Sequence, residues 1–465
     1  MQVFATAGAC VALLALMGCA TPSVQPAEWA PNLPARWQQA AQGELQPVNQ
    51  DWWRSLGSAE LDALVAQAHQ GSWDIAAATA RVHQAAASAR QAGAALLPEV
   101  TANVDGNRQG RFGGQAVVSG TRYGAALSAS YELDFWGRNR SALEGAEASV
   151  RASAYDRDTV RLTVTAGVAS AWLQGVALRE RAEIAQSNLR SAERLLQLID
   201  SRVRAGAASP LDLAQQRGLV AAQQRSLALL EQQVALTQTS MEILLGQVPV
   251  APMVERSVMA LRAPALDAGL PSELLVRRPD VARAEAQLAA AHADVAVARA
   301  AMLPRLTLTS SLGTGGDGLG GMLDNPLYTL AAGLVAPVFD AGRLAAGHEL
   351  AQARQAELLA VYRQTIVQAL GDVQTALHTL AGVDAQILAH TQELEQARRA
   401  LALAEVRYRA GAESLLALLE TQRTLYAAQD QAVQLQNDRL QGHVALYKAL
   451  GGGWSLQTAP ELPAS

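Results

Sequence analysis

Aromatic side chains are scarce in this 465-residue chain, at 4 %, and no apolar run reaches the ~20 residues that a membrane-spanning helix requires. A compact core built on large rings is therefore not the design, and neither is a helical membrane anchor. The two cysteines, Cys10 and Cys19, both fall near the start, so the body has no disulfide and must be held by helix packing and association. The net charge is only −5 and no block of basic residues occurs, which argues against a nucleic-acid partner. Seven histidines (His69, His83, His292, His348, His378, His390 and His443) are scattered, and none forms a metal pair at helical spacing with a second nearby ligand. There is no nucleophile elbow and no dinucleotide fingerprint, and the Gly-rich stretch 313–321 lacks the Lys-Ser/Thr of a phosphate loop. No enzyme, cofactor or metal is expected.

What is present is a long repeat. One helical hairpin spans Ser141 to Gly246 and turns at Arg204-Ala205-Gly206; a second spans Ala346 to Gly451 and turns at Arg409-Ala410-Gly411. Gly206 and Gly411, Gly246 and Gly451, and Gly137-Arg138 and Gly342-Arg343 are all 205 residues apart, so the length of the hairpin is itself fixed. The rising helix carries Ala185, Leu189, Ala192, Leu196, Ile199 and Val203 in alternating steps of four and three, a heptad seam. The second copy has His390, Leu394, Ala397, Leu401, Ala404 and Tyr408 at the same places, so His390 reads as a packed residue. Leu213, Val220, Leu227, Val234 and Met241 recur at strict sevens on the returning helix. The pattern predicts an intramolecular antiparallel coiled coil with alanines that let helices approach closely.

Residues 1–18 read as a signal peptide, although its n-region has no Lys or Arg. It ends in Leu16-Met17-Gly18-Cys19, which resembles a bacterial lipobox, where the cysteine becomes the first mature residue and takes a diacylglyceryl group. Residues 20 to about 50, with Pro22, Pro26, Pro31, Pro34 and Pro47, read as an extended strap. Trp52 and Trp53 open a helix and are read as packing residues. A helix of about 25 residues from Trp73 to Leu97-Pro98 has its partner from Arg277-Arg278-Pro279-Asp280-Val281 to Leu303-Pro304; Pro279 suits a first helical turn and Asp280 its positive end. Each short helix plus a returning helix matches the length of one rising helix, about 100 Å at 1.5 Å per residue.

After each terminating proline the period changes to two. Val100, Ala102 and Val104 alternate with Thr101, Asn103 and Asp105, and Tyr123 to Phe135 alternate likewise. Leu306, Leu308 and Leu312 alternate with Thr307, Thr309 and Ser311, and Tyr328 to Val338 follow. The glycines of 313–321 are expected to make the turn between the last two strands. Such strands are long enough to cross a bilayer with tilt, one face toward lipid and one toward a watery lumen; a half-buried soluble sheet is the other reading. Four strands cannot close a barrel, and open edges in lipid leave backbone groups unsatisfied. Three copies supply about twelve strands, within the range of closed barrels, and cyclic symmetry suits a pore.

Together, the Cys19 lipobox, Trp52-Trp53, the run Leu274-Leu275-Val276-Arg277-Arg278-Pro279-Asp280-Val281 with Ala284-Glu285, the strand pairs and the hairpin tips resemble an outer membrane factor. These are the trimeric exit ducts of tripartite efflux pumps, and the likeness is to the lipoprotein subgroup that serves resistance-nodulation-division pumps. The resemblance implies an α+β fold: a trimeric twelve-stranded outer-membrane β-barrel, four strands per chain, continued by a twelve-helix periplasmic coiled-coil tunnel. It implies this division: signal peptide 1–18; lipid-anchored strap and equatorial segment 19–56; first repeat 57–246, with strand pair 99–135 and hairpin 141–246; equatorial linker 247–271; second repeat 272–451, with strand pair 305–339 and hairpin 346–451; and tail 452–465. The implied partners are two further copies, outer-membrane lipid, a periplasmic adaptor and an inner-membrane proton-driven transporter.

The site residues follow from both sources. Cys19 is the expected lipid attachment point, and Ala20 after it is not the aspartate that retains lipoproteins in the inner membrane. The tips, at Arg204, Gly206, Arg409 and Gly411, are expected to make tight turns and to dock the adaptor. Ser209 before Pro210, with Asp212 three on, reads as a helix cap. In the family a leucine ring and an acidic ring narrow the tunnel just inside the tip; Leu416 and Glu420, one helical turn apart, match those positions, and Ala417 stands where some members have a second acid. The expected function is passive conduction of drugs or other small toxic molecules out of the cell. A duct for type I protein secretion and a lipid-anchored coiled-coil scaffold without a pore are the alternatives.

Overall fold

Two very long helices set the frame, and acidic caps fix where each begins. The computed structural model describes residues 36–37, 48–110, 112–113, 120–251, 253–262, 266–318, 320 and 323–454; the expected signal peptide, Cys19, most of the strap and the end of the tail lie outside them. In chain order the elements are α1 (Ala59–Gly71), α2 (Trp73–Ala94), β1 (Glu99–Gln109), β2 (Gly120–Leu133), α3 (Arg138–Arg204), α4 (Pro210–Leu245), α5 (Pro279–Ala300), β3 (Arg305–Gly316), β4 (Leu327–Val335), α6 (Arg343–Arg409) and α7 (Leu415–Ala449). Asp134 accepts from the backbone N–H of Asn139 and Arg140, and Asp340 from those of Gly342 and Leu344. These caps start α3 and α6 one turn earlier than Ser141 and Ala346. Each then runs 67 residues without a break.

Helix α2 stacks end to end on α4, and α5 on α7. The wall of one chain is therefore four columns wide: α2 over α4, then α3, then α5 over α7, then α6. Both junctions need glycine. Gly246 and Gly451 have left-handed backbones, and a Cβ on either would collide with the carbonyl of Gly71 or of Arg277. The heptad seam packs as its spacing requires, with Ala185, Ala192 and Ile199 buried on α3, and His390, Ala397 and Ala404 buried on α6.

The four strands form one antiparallel sheet in the order β1-β2-β3-β4, so β1 and β4 are its open edges. Its register puts Ala102, Leu127, Leu312 and Tyr328 in one row, and Leu133, Leu306 and Leu334 in another, all on one face. Thr101, Ser128, Ser311 and Thr329 share the opposite face. Leu312, Tyr328, Leu330 and Leu334 are all more than 60 % exposed in the single chain, an apolar surface that soluble proteins rarely leave bare. Two boundaries differ from the sequence reading. Gly313–Gly316 belong to β3 rather than to the turn, because Gly315 lies opposite Gly124 of β2 where no side chain intervenes. The strands β2 and β4 stop at Leu133 and Val335, leaving Phe135 and Val338 outside.

The main core lies at mid-height rather than at either end. Trp52, Trp53, Leu61 and Val65 pack with Trp172 of α3, Met241 and Leu245 of α4, and Leu440 and Tyr447 of α7. The Trp52 ring stacks on Tyr447 at 4.7 Å, so both tryptophans are packing residues. Glu60 and Glu180 fasten residues 253–262 against this core: Glu60 accepts from Trp172 Nε1 and the Val254 and Glu255 N–H groups, and Glu180 from Ser257 Oγ and Val258 N–H.

Candidate functional site

At the far end from the sheet, the two hairpin tips are built alike. The α3 helix closes with the Gly206 N–H donating to Val203 O and the Ala207 N–H to Arg202 O. The same pair of bonds recurs from Gly411 to Tyr408 and from Ala412 to Arg407. This double closure around a left-handed glycine turns the chain in the fewest residues. The returning helices start at Ser209 and Ser414, which accept from the Asp212 and Ala417 N–H groups at 3.2 Å. Only the first tip completes a capping box, since the Asp212 carboxylate also takes the Ser209 N–H. In the second, Glu413 takes over: it accepts from Arg407 Nε and the Ser414 N–H.

The tips do not stand apart. Ile199 and Leu219 of the first hairpin pack with Tyr408, Leu415, Leu418 and Leu419 of the second, and the Arg202 guanidinium lies 5.3 Å from the centre of the Tyr408 ring. Spacing alone could not show this contact, although Arg202 and Tyr408 are each one turn from a tip. Buried Gln216 adds a tie across the first hairpin through Nε2 to Ala192 O at 2.7 Å. Against this core Leu416 is 62 % exposed while Leu415, Leu418 and Leu419 are at most 5 % exposed. Glu420 is exposed one turn on, so the two residues share an outward face of α7. Arg204 pairs with Asp200 and Arg409 with Glu405, both on the surface.

The Arg-Arg-Pro-Asp-Val run has a role that its sequence only half disclosed. Pro279 and Asp280 open α5 as expected. Arg278, 8 % exposed, clamps Asp280 through Nε and Nη2 at 3.0 and 2.7 Å, and reaches Asp372 of α6 and the Ala449 carbonyl of α7 through Nη1. One guanidinium thus ties three helices, from two columns, at the point where α5 stands on α7. Burial opposes ionisation of Asp280, yet the Arg278 hydrogen bonds and charge hold its carboxyl below the ordinary aspartate range. Among the described residues no cluster of metal-ligating side chains occurs.

The sequence matches the outer membrane efflux protein family over residues 64–247 and 270–452, one match for each repeat. The chain belongs to the outer membrane efflux protein family. Among its relatives, the pyoverdine export outer membrane protein OpmQ of Pseudomonas putida is 50 % identical, covering 95 % of this chain and 96 % of that one. OpmQ of Pseudomonas aeruginosa is 48 % identical over 94 % and 95 %. Similar solved structures include the open state of the Neisseria gonorrhoeae MtrE outer membrane channel, at TM-score 0.83 and 28 % identity over 91 % and 96 % of the two chains. The outer-membrane channel OprN follows at TM-score 0.81 and 28 % identity over 91 % and 99 %. This efflux protein is thus an outer-membrane exit duct of a tripartite pump. Its open edges β1 and β4 meet those of two further copies, closing a barrel of about twelve strands above a tunnel of helices.

Proposed function

We propose that this duct serves an inner-membrane transporter of the resistance-nodulation-division class through a periplasmic adaptor, and that its solute is of the pyoverdine kind. What supports the solute is the ranking of likeness. The two relatives named for pyoverdine export are 50 % and 48 % identical, whereas those named for toluene and cation efflux are 33 % and 28 % identical. The passive wall does not choose the solute; the transporter it pairs with does.

In this reading the protein is a lipoprotein held in the outer membrane by acyl groups on Cys19 as well as by the barrel. The tips at Arg204, Gly206, Arg409 and Gly411 face the adaptor. Leu416 and Glu420 of three copies form the constriction just inside the tips, where three carboxylates repel one another and a bound cation favours closure. The outward face they share on α7 supports this placement. The test is complementation of a bacterium that makes pyoverdine but lacks its outer-membrane export protein. Expression of this chain is expected to restore pyoverdine to the medium; retention in the periplasm, with toluene or metal-cation tolerance restored instead, would overturn the solute assignment.

A further inference from the structure

The wall has two faces, and they are furnished differently. Residues 253–262 lie across one face, where Gln436 Nε2 of α7 donates to the carbonyls of Val258 and Leu261. The opposite face of α7 carries Asp438, Gln441, Ala445 and Lys448. Followed down the helix in steps of three and four, it continues through Gln434, Gln431, Ala427 and Arg423 to Glu420 and Leu416, all exposed. The upper end of this stripe opens into a cavity of about 720 Å³ between α3, α6 and α7, bordered by Thr159, Thr163, Asp372, Thr375, Asp438 and Lys448.

Most charges around the cavity are matched. Arg278 is paired with Asp280 and Asp372 and also donates to Ala449 O, and the other Asp372 oxygen accepts from Gln368. Two are not. The Lys448 ammonium makes no hydrogen bond or ion pair among the described residues, and neither oxygen of Asp438 accepts a hydrogen bond there. Burial raises the Asp438 pKa, opposed by Arg181, which weakens its claim on any cation. It lies ten residues along α7 from Lys448, about 15 Å, too far to neutralise it. Lys448 is also the only lysine of the whole sequence, whose other permanent cations are all arginine. An ammonium is a point charge with three donors on a flexible stem, suited to a single carboxylate rather than to planar, bidentate recognition.

We propose that this cavity is a binding station inside the duct, where Lys448 holds the carboxylate of a solute in transit. The proposal rests on the reading that the Leu416–Glu420 face of α7 lines the lumen. Threefold symmetry then sets three such stations in a ring, a charged collar about 48 Å above the constriction by helix length.

The single lysine makes the test direct. The purified trimer is treated with trinitrobenzenesulfonate, and modification of Lys448 is followed by mass mapping with and without citrate as the carboxylate probe. Citrate is expected to slow the modification while glucose leaves it unchanged. In planar bilayers citrate is expected to interrupt the current, with about fivefold weaker block in Lys448→Gln and retained block in Lys448→Arg. Equal modification rates with and without citrate, or equal block of wild type and Lys448→Gln, would overturn the station while a normal current leaves the duct standing. A trimer that carries no current at all overturns both.

Discussion

Arg278 is the residue on which the helix junction most depends, because its charge is buried and its partners lie on three helices, α5, α6 and α7. Removing one member of a buried ion pair strands the rest, at about 3–5 kcal/mol. Arg278→Ala is therefore expected to lower the thermal transition and the yield of trimer, whereas Arg277→Ala, whose salt bridge to Glu273 is on the surface, is expected to be nearly neutral. Circular dichroism melts of the two variants check this. The second prediction at this scale concerns pH. Thr165 donates its hydroxyl hydrogen to Arg161 O and so accepts from His69 Nε2, while Nδ1 faces the Arg161 guanidinium. Burial first, and Arg161 second, lower the His69 pKa to about 4; burial and Arg439 do the same for His443. The unfolded chain binds those protons from about pH 6.5 downward and the folded chain does not, so stability falls as pH drops from 6.5 toward 4. A melting series over that range is expected to slope downward with acid, and more gently in His69→Gln; a flat wild-type profile would refute the assignment.

Among the elements, the stacked junctions set the height of the wall. The left-handed Gly246 and Gly451 each touch the end of a short helix, so Gly246→Ala and Gly451→Ala combine backbone strain of about 1–3 kcal/mol with a collision against a main-chain carbonyl. Each is expected to reduce trimer assembly, read as the proportion of trimer on native gels, and the double variant more than either. The sequence made these helices legible because heptad spacing, the 205-residue offset and the two Leu-Pro stops are local signals. The strands were legible by their alternation, but their ends were not. Glycines suggest a turn, yet residues 313–316 extend the pairing with β2, where Gly315 meets Gly124 and Gly313 the small Ala126. The Arg278 clamp was half legible: Asp280 is two residues away, but Asp372 and Ala449 are 94 and 171 positions distant, which no local pattern reaches. The outward face of Leu416 and Glu420 followed from helical spacing, whereas the packing of Tyr408 under Arg202 required the two repeats to be brought together.

As a whole molecule, one chain is incomplete alone: its sheet is open with an exposed apolar face, and its wall is only four columns wide. Three copies complete both at once. If the constriction lies at Leu416 and Glu420, Leu416→Ala with Glu420→Ala is expected to raise conductance, weaken block by multivalent cations and admit large antibiotics; unchanged conductance and block would place the constriction elsewhere. The measurement that tests the account most directly is single-channel recording of the purified wild-type protein in planar bilayers. A closed trimeric duct is expected to give discrete steps of current, one per inserted trimer, from protein that runs as a trimer. A trimer, or a monomer, that inserts or binds without ever conducting would contradict the closed barrel and the duct with it.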